Sequence, residues 1–380
     1  MVTLLLVDLA VILVLAAAFG ALARRLGQPA VLGEILAGLL LGPTLAHGSL
    51  STLLFPTEAR PSLTALADVG VALFMFLVGL EFDVAALRGH GRTTVDVAFA
   101  SLLLPFASGA ALALALAPHR LALVLFLGAS MSVTAFPVLA RILADRGMAD
   151  TAVGRLALGC AAIGDVVAWS LLAVVVTVVT GQAQWRVALL VPYAALMLTA
   201  GRRLLRVVVP RLGLPAILVG LLASAAFTEW IGLHMVFGAF LIGIVVPRDV
   251  GDDARDALRR MAGLLLPVYF VVAGLGVDLS GLGLAGLAEL AAILLVAVGG
   301  KTIGAFVAAR MHGIDTRTAA VLAALMNTRG LTELVFLSVG RGLGILDTRS
   351  YSLLVVMAVL TTAMTGPLLT LLYRREIAVA

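Results

Sequence analysis

The chain has 380 residues, of which 62% are hydrophobic and 12% charged, whereas a soluble domain carries about 25% charged residues. Its net charge of +5 at pH 7 comes from arginines in short loops between apolar runs, which argues against the basic face of a nucleic-acid binder. A single cysteine, Cys160, leaves no disulfide framework and no Cys/His metal cluster.

Apolar runs long enough to cross a bilayer recur along the whole chain, so it reads as an all-α polytopic membrane protein. Breaks at charges, prolines and glycine clusters divide it into about 13 transmembrane helices, near 3–23, 31–47, 63–82, 94–116, 121–143, 153–180, 186–208, 214–229, 233–247, 264–277, 285–310, 318–340 and 350–373. The first run lacks a basic stretch before it and is followed by Arg24 and Arg25, the reverse of a cleaved signal peptide. The last reaches Tyr373, and no soluble C-terminal regulatory domain is expected.

The arginines test this division. Loops after odd-numbered spans, with the C-terminal end, hold nineteen, among them Arg24, Arg88, Arg146, Arg248, Arg374 and Arg375. The opposite side holds only Arg60, Arg120, Arg186, Arg341 and Arg349. A wrong span count would scramble that alternation. The expected orientation is N-terminus outside and C-terminus cytoplasmic, in the cell (plasma or inner) membrane.

Six spans on each side of span seven make the second half enter the membrane from the opposite face. That parity is what two inverted six-helix repeats require, about 1–180 and 214–373 around a linker helix near 186–208, within one membrane domain, 1–380. The fifth span of each half is interrupted. GASMSVTAFPVLARIL carries Ser132, Thr134 and Pro137, and AALMNTRGLTELVFL carries Asn327, Thr328, Arg329, Gly330, Thr332 and Glu333. Crossed discontinuous helices there would free carbonyls and expose half-helix dipoles to an ion.

Lys301, the chain's one lysine, lies in AAILLVAVGGKTIGAFVAA, where a lone ammonium costs about 2.5–3.5 kcal/mol by insertion scales. Asp165, in CAAIGDVVAWSLLAVVV, is the carboxylate to seek beside it. A carboxylate in an apolar span is a usable proton carrier, and deprotonated it is a hard oxygen ligand for a small cation. Ser132 and Thr134 would add hydroxyl or carbonyl oxygens. The bland alternative for Asp165 is a hydrogen bond to a neighbouring helix, and for Lys301 snorkelling to an interface. Lys301 would pair with Asp165 when no cation is bound, or neutralise the crossover dipoles.

Arg329 and Glu333 are four apart and suit either a pair along a helix or compensation of the broken span; whether Glu333 touches the ion stays open. Glu81 and Asp83 close span three, as surface charges or as a cation funnel. Glu34 lines a pathway or caps a packing contact. His47, His90, His119, His234 and His312 lack ligand spacing, and the glycines point to close helix packing. No resident metal, cofactor or enzymatic constellation is read.

Seven segments in order, QPAVLGEILAGLLLGPTL, LFMFLVGLEFD, SVTAFPVLARILAD, GDVVAWSLLA, HMVFGAFLIGIVVPR, GGKTIGAFVAAR and LMNTRGLTELVFL, resemble the membrane domain of the monovalent cation:proton antiporter-2 family. The resemblance covers essentially the whole chain. It implies a sodium/proton antiporter-like fold, a dimerisation part, a mobile six-helix core moving as an elevator, and a homodimer. It assigns ion binding to Asp165, the crossover threonine to Thr134 and the charge-pairing lysine to Lys301. The family carries Asp, Asn or Gln before the key aspartate, where this chain has Gly164, so stoichiometry does not carry over. The expected function is exchange of Na+ or K+ for protons by alternating access, with competition at Asp165. A same-fold organic-anion transporter and a channel-like sensor without exchange are the alternatives.

Overall fold

With no water in a bilayer core to satisfy backbone groups, apolar runs of this length must close their hydrogen bonds internally, as helices do. In the computed structural model the described residues, 2–44, 54–56, 60–81, 91–180, 189–231, 234–247 and 251–373, are helical with short connections and contain no strand. Asp83, His47, His90, Arg88, Arg186, Arg248, Arg374 and Arg375 lie outside them.

The helices are α1 (Val2–Arg25), α2 (Ala30–Leu41), α3 (Arg60–Glu81), α4 (Arg92–Leu116), α5 (Leu121–Ser132), α6 (Phe136–Asp145) and α7 (Ala152–Thr180). Then come α8 (Leu190–Leu196), which runs through a π-turn at Met197–Gly201 into α9 (Arg202–Leu212), α10 (Leu214–Trp230), α11 (Met235–Val245) and α12 (Asp252–Leu275). The chain continues with α13 (Gly283–Met311), α14 (Thr316–Met326), α15 (Leu331–Gly342) and α16 (Thr348–Leu372).

Each of the thirteen expected runs coincides with a helix or a broken pair, but not every helix is long enough to cross a membrane. Among the described residues eight are long and apolar enough, taking α5–α6 as one, and the pair α14–α15, bent by 42°, makes a ninth. The helices α2, α10 and α11 are apolar but shorter. At about 1.5 Å per residue, the 12 residues of α2 fall short of a hydrocarbon core of about 30 Å. The tenth run also differs from expectation, because α12 begins at Asp252 rather than 264. Its first three turns, DDARDALRRMAG, hold polar side chains outward, and Arg259 reaches Glu81 of α3 at 2.9 Å. Glu81 is therefore an ion-paired surface residue.

Two groups of helices emerge from the packing. In the first, α3 lies along α12, α2 packs on α12, α11 on α3, α1 on α2 and α10 on α11. In the second, α4 lies along α13, α5 packs on α4, α14 on α13, α7 on α4 and α16 on α13. Exchanging each of the first six runs with the run seven places later maps every contact here onto itself or onto another of the same set. Glycines make the close crossings. A Cβ at Gly38 would strike the Val271 carbonyl and one at Gly274 the Ile35 carbonyl, where α2 crosses α12. At the matching crossing of α3 and α11, a Cβ at Gly79 would strike the Phe240 carbonyl and one at Gly243 the Phe76 carbonyl. Phe126 of α5 and Phe336 of α15, with ring centroids 4.9 Å apart, anchor the two broken pairs to one another.

Candidate functional site

Helix α5 stops at Ser132 and α6 starts at Phe136, with Pro137 in its first turn; α14 stops at Met326 and α15 starts at Leu331. A helix end leaves its last carbonyls without intrahelical donors, and here those ends are buried. The two breaks meet and satisfy one another. Ala135 N donates to Thr328 O at 3.0 Å, and Thr134 Oγ1 donates to Met326 O, the last carbonyl of α14, at 3.2 Å.

The end of α5 is capped by the two buried cations. Arg329 donates to Ser130 O at 3.0 Å and to Met131 O at 2.7 Å. Lys301 Nζ donates to Ser132 O at 2.5 Å and to Thr134 Oγ1. Three successive carbonyls, at the negative end of a helix dipole, thus face two positive charges. Arg329 also pairs with Glu333 at 2.8 Å, and Ser130 Oγ donates to the other Glu333 oxygen at 2.6 Å. Arg329 itself lies in the break, between α14 and α15, and joins Glu333 of α15 to the carbonyls that end α5. Glu333, in the first turn of α15, has a partner on each oxygen.

Asp165 differs from these three. It is 3% exposed, yet neither carboxylate oxygen accepts a hydrogen bond. The expected Lys301–Asp165 contact is not made, because the ammonium is taken up by the oxygens of the α5 break; the two charges act on each other only through space. Helix α7 packs against α5 and α14, which carries Asp165 to the crossing. Beside it, Gly164 is buried, and a Cβ there would meet no atom within 4 Å. The Ser132 hydroxyl is occupied, donating to Leu102 O at 2.8 Å and to Gly128 O at 3.0 Å, so only its carbonyl faces Lys301.

Three groups at the site, Ser130, Thr362 and Trp169, are missed by reading the sequence, and the partner of a fourth, Asn327, is not foreseen. Ser130 holds Glu333, and two residues from Ser132 in an apolar run it carried a usable signal. Thr362 of α16 accepts from Arg329 N at 3.0 Å and donates to Arg329 O at 2.7 Å, a contact of backbone with a residue 33 positions away and without a sequence signal. Asn327 donates to Thr302 Oγ1 at 2.8 Å, tying the α14 break to the turn that follows Lys301. Trp169, one helical turn beyond Asp165, buries an indole N–H without an acceptor; the i, i+4 spacing in GDVVAW was the available clue.

The remaining expected residues lie elsewhere. Glu34 is half-buried beside Gly20 of α1. His312 meets Asp96 at 3.0 Å, His119 is exposed between α4 and α5, and His234 precedes α11. Among the described residues no three His, Cys, Asp or Glu side chains are grouped to hold a metal.

Comparison with known proteins bears on the family and the fold. Residues 10–375 match the family model described as sodium/hydrogen exchanger, transmembrane. The Na(+)/H(+) antiporter NhaS4 of Synechocystis is 36% identical over 97% of this chain and 97% of its own length. Cation/H(+) antiporter 20 of Arabidopsis thaliana is 33% identical over 98% of this chain, which spans 48% of that protein. The solved structure of the sodium proton antiporter MjNhaP1 from Methanocaldococcus jannaschii superposes with a TM-score of 0.64 at 15% identity, over 97% of this chain and 96% of that one, a likeness of fold. The chain belongs to the sodium/hydrogen exchanger family, and the expected kinship with cation:proton antiporters is borne out.

Proposed function

We propose that the protein exchanges Na+ or K+ for protons by alternating access, with proton and cation competing for the Asp165 carboxylate. The observation that carries this reading is the contrast within one buried cluster. Lys301, Arg329 and Glu333 each hold hydrogen-bond partners on other residues, while neither oxygen of Asp165 accepts a hydrogen bond. A buried carboxylate without partners is costly, and the cost is relieved by taking either a proton or a cation. Thr134 and the Ser132 carbonyl are the further oxygens proposed for the cation, and Lys301 occupies them until it is displaced. With Gly164 in place of a polar neighbour, one carboxylate carries one charge per passage.

The two packing groups are the basis of the movement we propose. The group α4–α7 with α13–α16 carries the site, and the group α1–α3 with α10–α12 is the scaffold against which it shifts. The matching contacts in the two halves support an inverted repeat of about 1–180 and 214–373. Thirteen crossings, an N-terminus outside, a cytoplasmic C-terminus, a plasma or inner membrane setting and a homodimer complete the proposal. An organic-anion carrier is disfavoured because both buried cations already serve the carbonyls of α5.

Replacing Asp165 by Asn keeps the side chain's shape and removes its charge. Reconstituted Asp165→Asn should show no Na+- or K+-driven proton flux in a pH-dye assay. Full exchange in that variant would overturn the assignment.

A further inference from the structure

The seam between the two helical groups opens, at the end that carries Arg24 and Arg146, into a cavity of about 440 Å³. One wall is Arg24 and the turn Gly27–Pro29, from the first group; the other is Ile142, Arg146 and Gly366, from the second. Gln28 Nε2 donates to Ala363 O of α16 at 3.2 Å and joins the walls. Arg146 is held in place by Gly366 O at 2.9 Å and Thr370 Oγ1 at 3.1 Å. Both acceptors are neutral, so its charge is oriented but, among the described side chains, has no ion-pair partner.

Arg24 is exposed and, among the described residues, its guanidinium makes no hydrogen bond or ion pair. The carboxylate of Glu34 acts on it and on Arg141 from a distance. Two guanidiniums on opposing walls, one of them fixed in advance, form a fork suited to phosphate oxygens. The cavity lies at the end of the long apolar helix α1, and the neighbouring Ile142 and Pro29 offer apolar contact to a glycerol backbone.

We propose that this cavity binds a phosphate group, from an anionic phospholipid headgroup or a free phosphate-bearing anion, and that the bound group bridges scaffold and core and slows exchange. The slowing rests on the alternating-access reading above; the binding does not.

The test is native mass spectrometry of the full chain in detergent, titrated with phosphatidylglycerol or phosphatidylcholine. Arg24→Ala removes a side chain that makes no hydrogen bond among the described residues, and Arg349→Ala, at a surface pair with Glu289, is the control. Phosphatidylglycerol should be retained over phosphatidylcholine, with about fivefold weaker retention in Arg24→Ala and none lost in Arg349→Ala. Equal retention of the two lipids, or equal loss in the two variants, would overturn the site. Inorganic phosphate and glycerol 3-phosphate form a second arm. Displacement of the lipid by either identifies a soluble anion as a ligand, and resistance to both identifies the headgroup in its bilayer; each supports phosphate binding. In phosphatidylglycerol liposomes Arg24→Ala should exchange faster than the parent, and an unchanged rate alongside lost binding would overturn the regulatory half alone.

Discussion

Arg329 and Lys301 divide the freed carbonyls of α5 between them, and their removal should have different consequences. Arg329 also neutralises Glu333, which has no exposure to water. In Arg329→Met that carboxylate stays buried without its counter-charge, at a cost of about 3–5 kcal/mol. Loss of folded yield and of thermal stability in detergent is the expected result. Lys301→Met removes an ammonium whose acceptors are a carbonyl and a hydroxyl, so about 1–3 kcal/mol is expected and a folded protein remains. Because the ammonium holds oxygens proposed for the cation, this variant should bind Na+ or K+ more tightly and change its pH profile. An unchanged affinity and profile would reduce Lys301 to a cap. At this scale the sequence announced the charges, because ionisable groups in apolar runs are conspicuous. Their partners were hidden, because backbone carbonyls such as Ser132 O and Met131 O exist at every position and only the fold selects among them.

Helices in this chain approach one another through glycine, and the approach has a measurable sign. At Gly79 a Cβ would meet the backbone of α11, whereas at Gly299 in α13 it would meet nothing within 4 Å. Gly79→Ala must push two helices apart and is expected to cost about 1–3 kcal/mol. Gly299→Ala only removes chain entropy from the unfolded state and should gain about 0.5–1 kcal/mol. Opposite shifts in thermal stability are the prediction; equal shifts would mean that the crossings of α3 with α11 are not close in solution. The breaks in the two fifth spans were legible because Pro137 and Gly330 interrupt otherwise continuous apolar runs. Less of α12 was legible. Its apolar half alone resembles a short span, while the amphipathic half is defined by where Arg259 finds Glu81 on another helix. The thirteen-run division located the helices, but length separates those able to cross a bilayer unaided from α2, α10 and α11.

For the whole molecule, the exchange reading reduces to one carboxylate shared by two ligands. Fully ionised, the buried cluster of Asp165, Lys301, Arg329 and Glu333 has as many negative as positive charges, and a proton or a monovalent cation at Asp165 changes that balance equally. Two helical groups in matching internal contact supply the bodies that could move past one another, and α7 and α13 carry Asp165 and Lys301 in the same group. The central claim is competition, and initial-rate kinetics in proteoliposomes test it most directly. With the opposite side held at fixed pH, the apparent KM for Na+ or K+ should rise as pH falls on the cation side, approaching tenfold per pH unit, while Vmax stays constant. A KM independent of pH, with Vmax falling instead, would contradict a single shared site at Asp165.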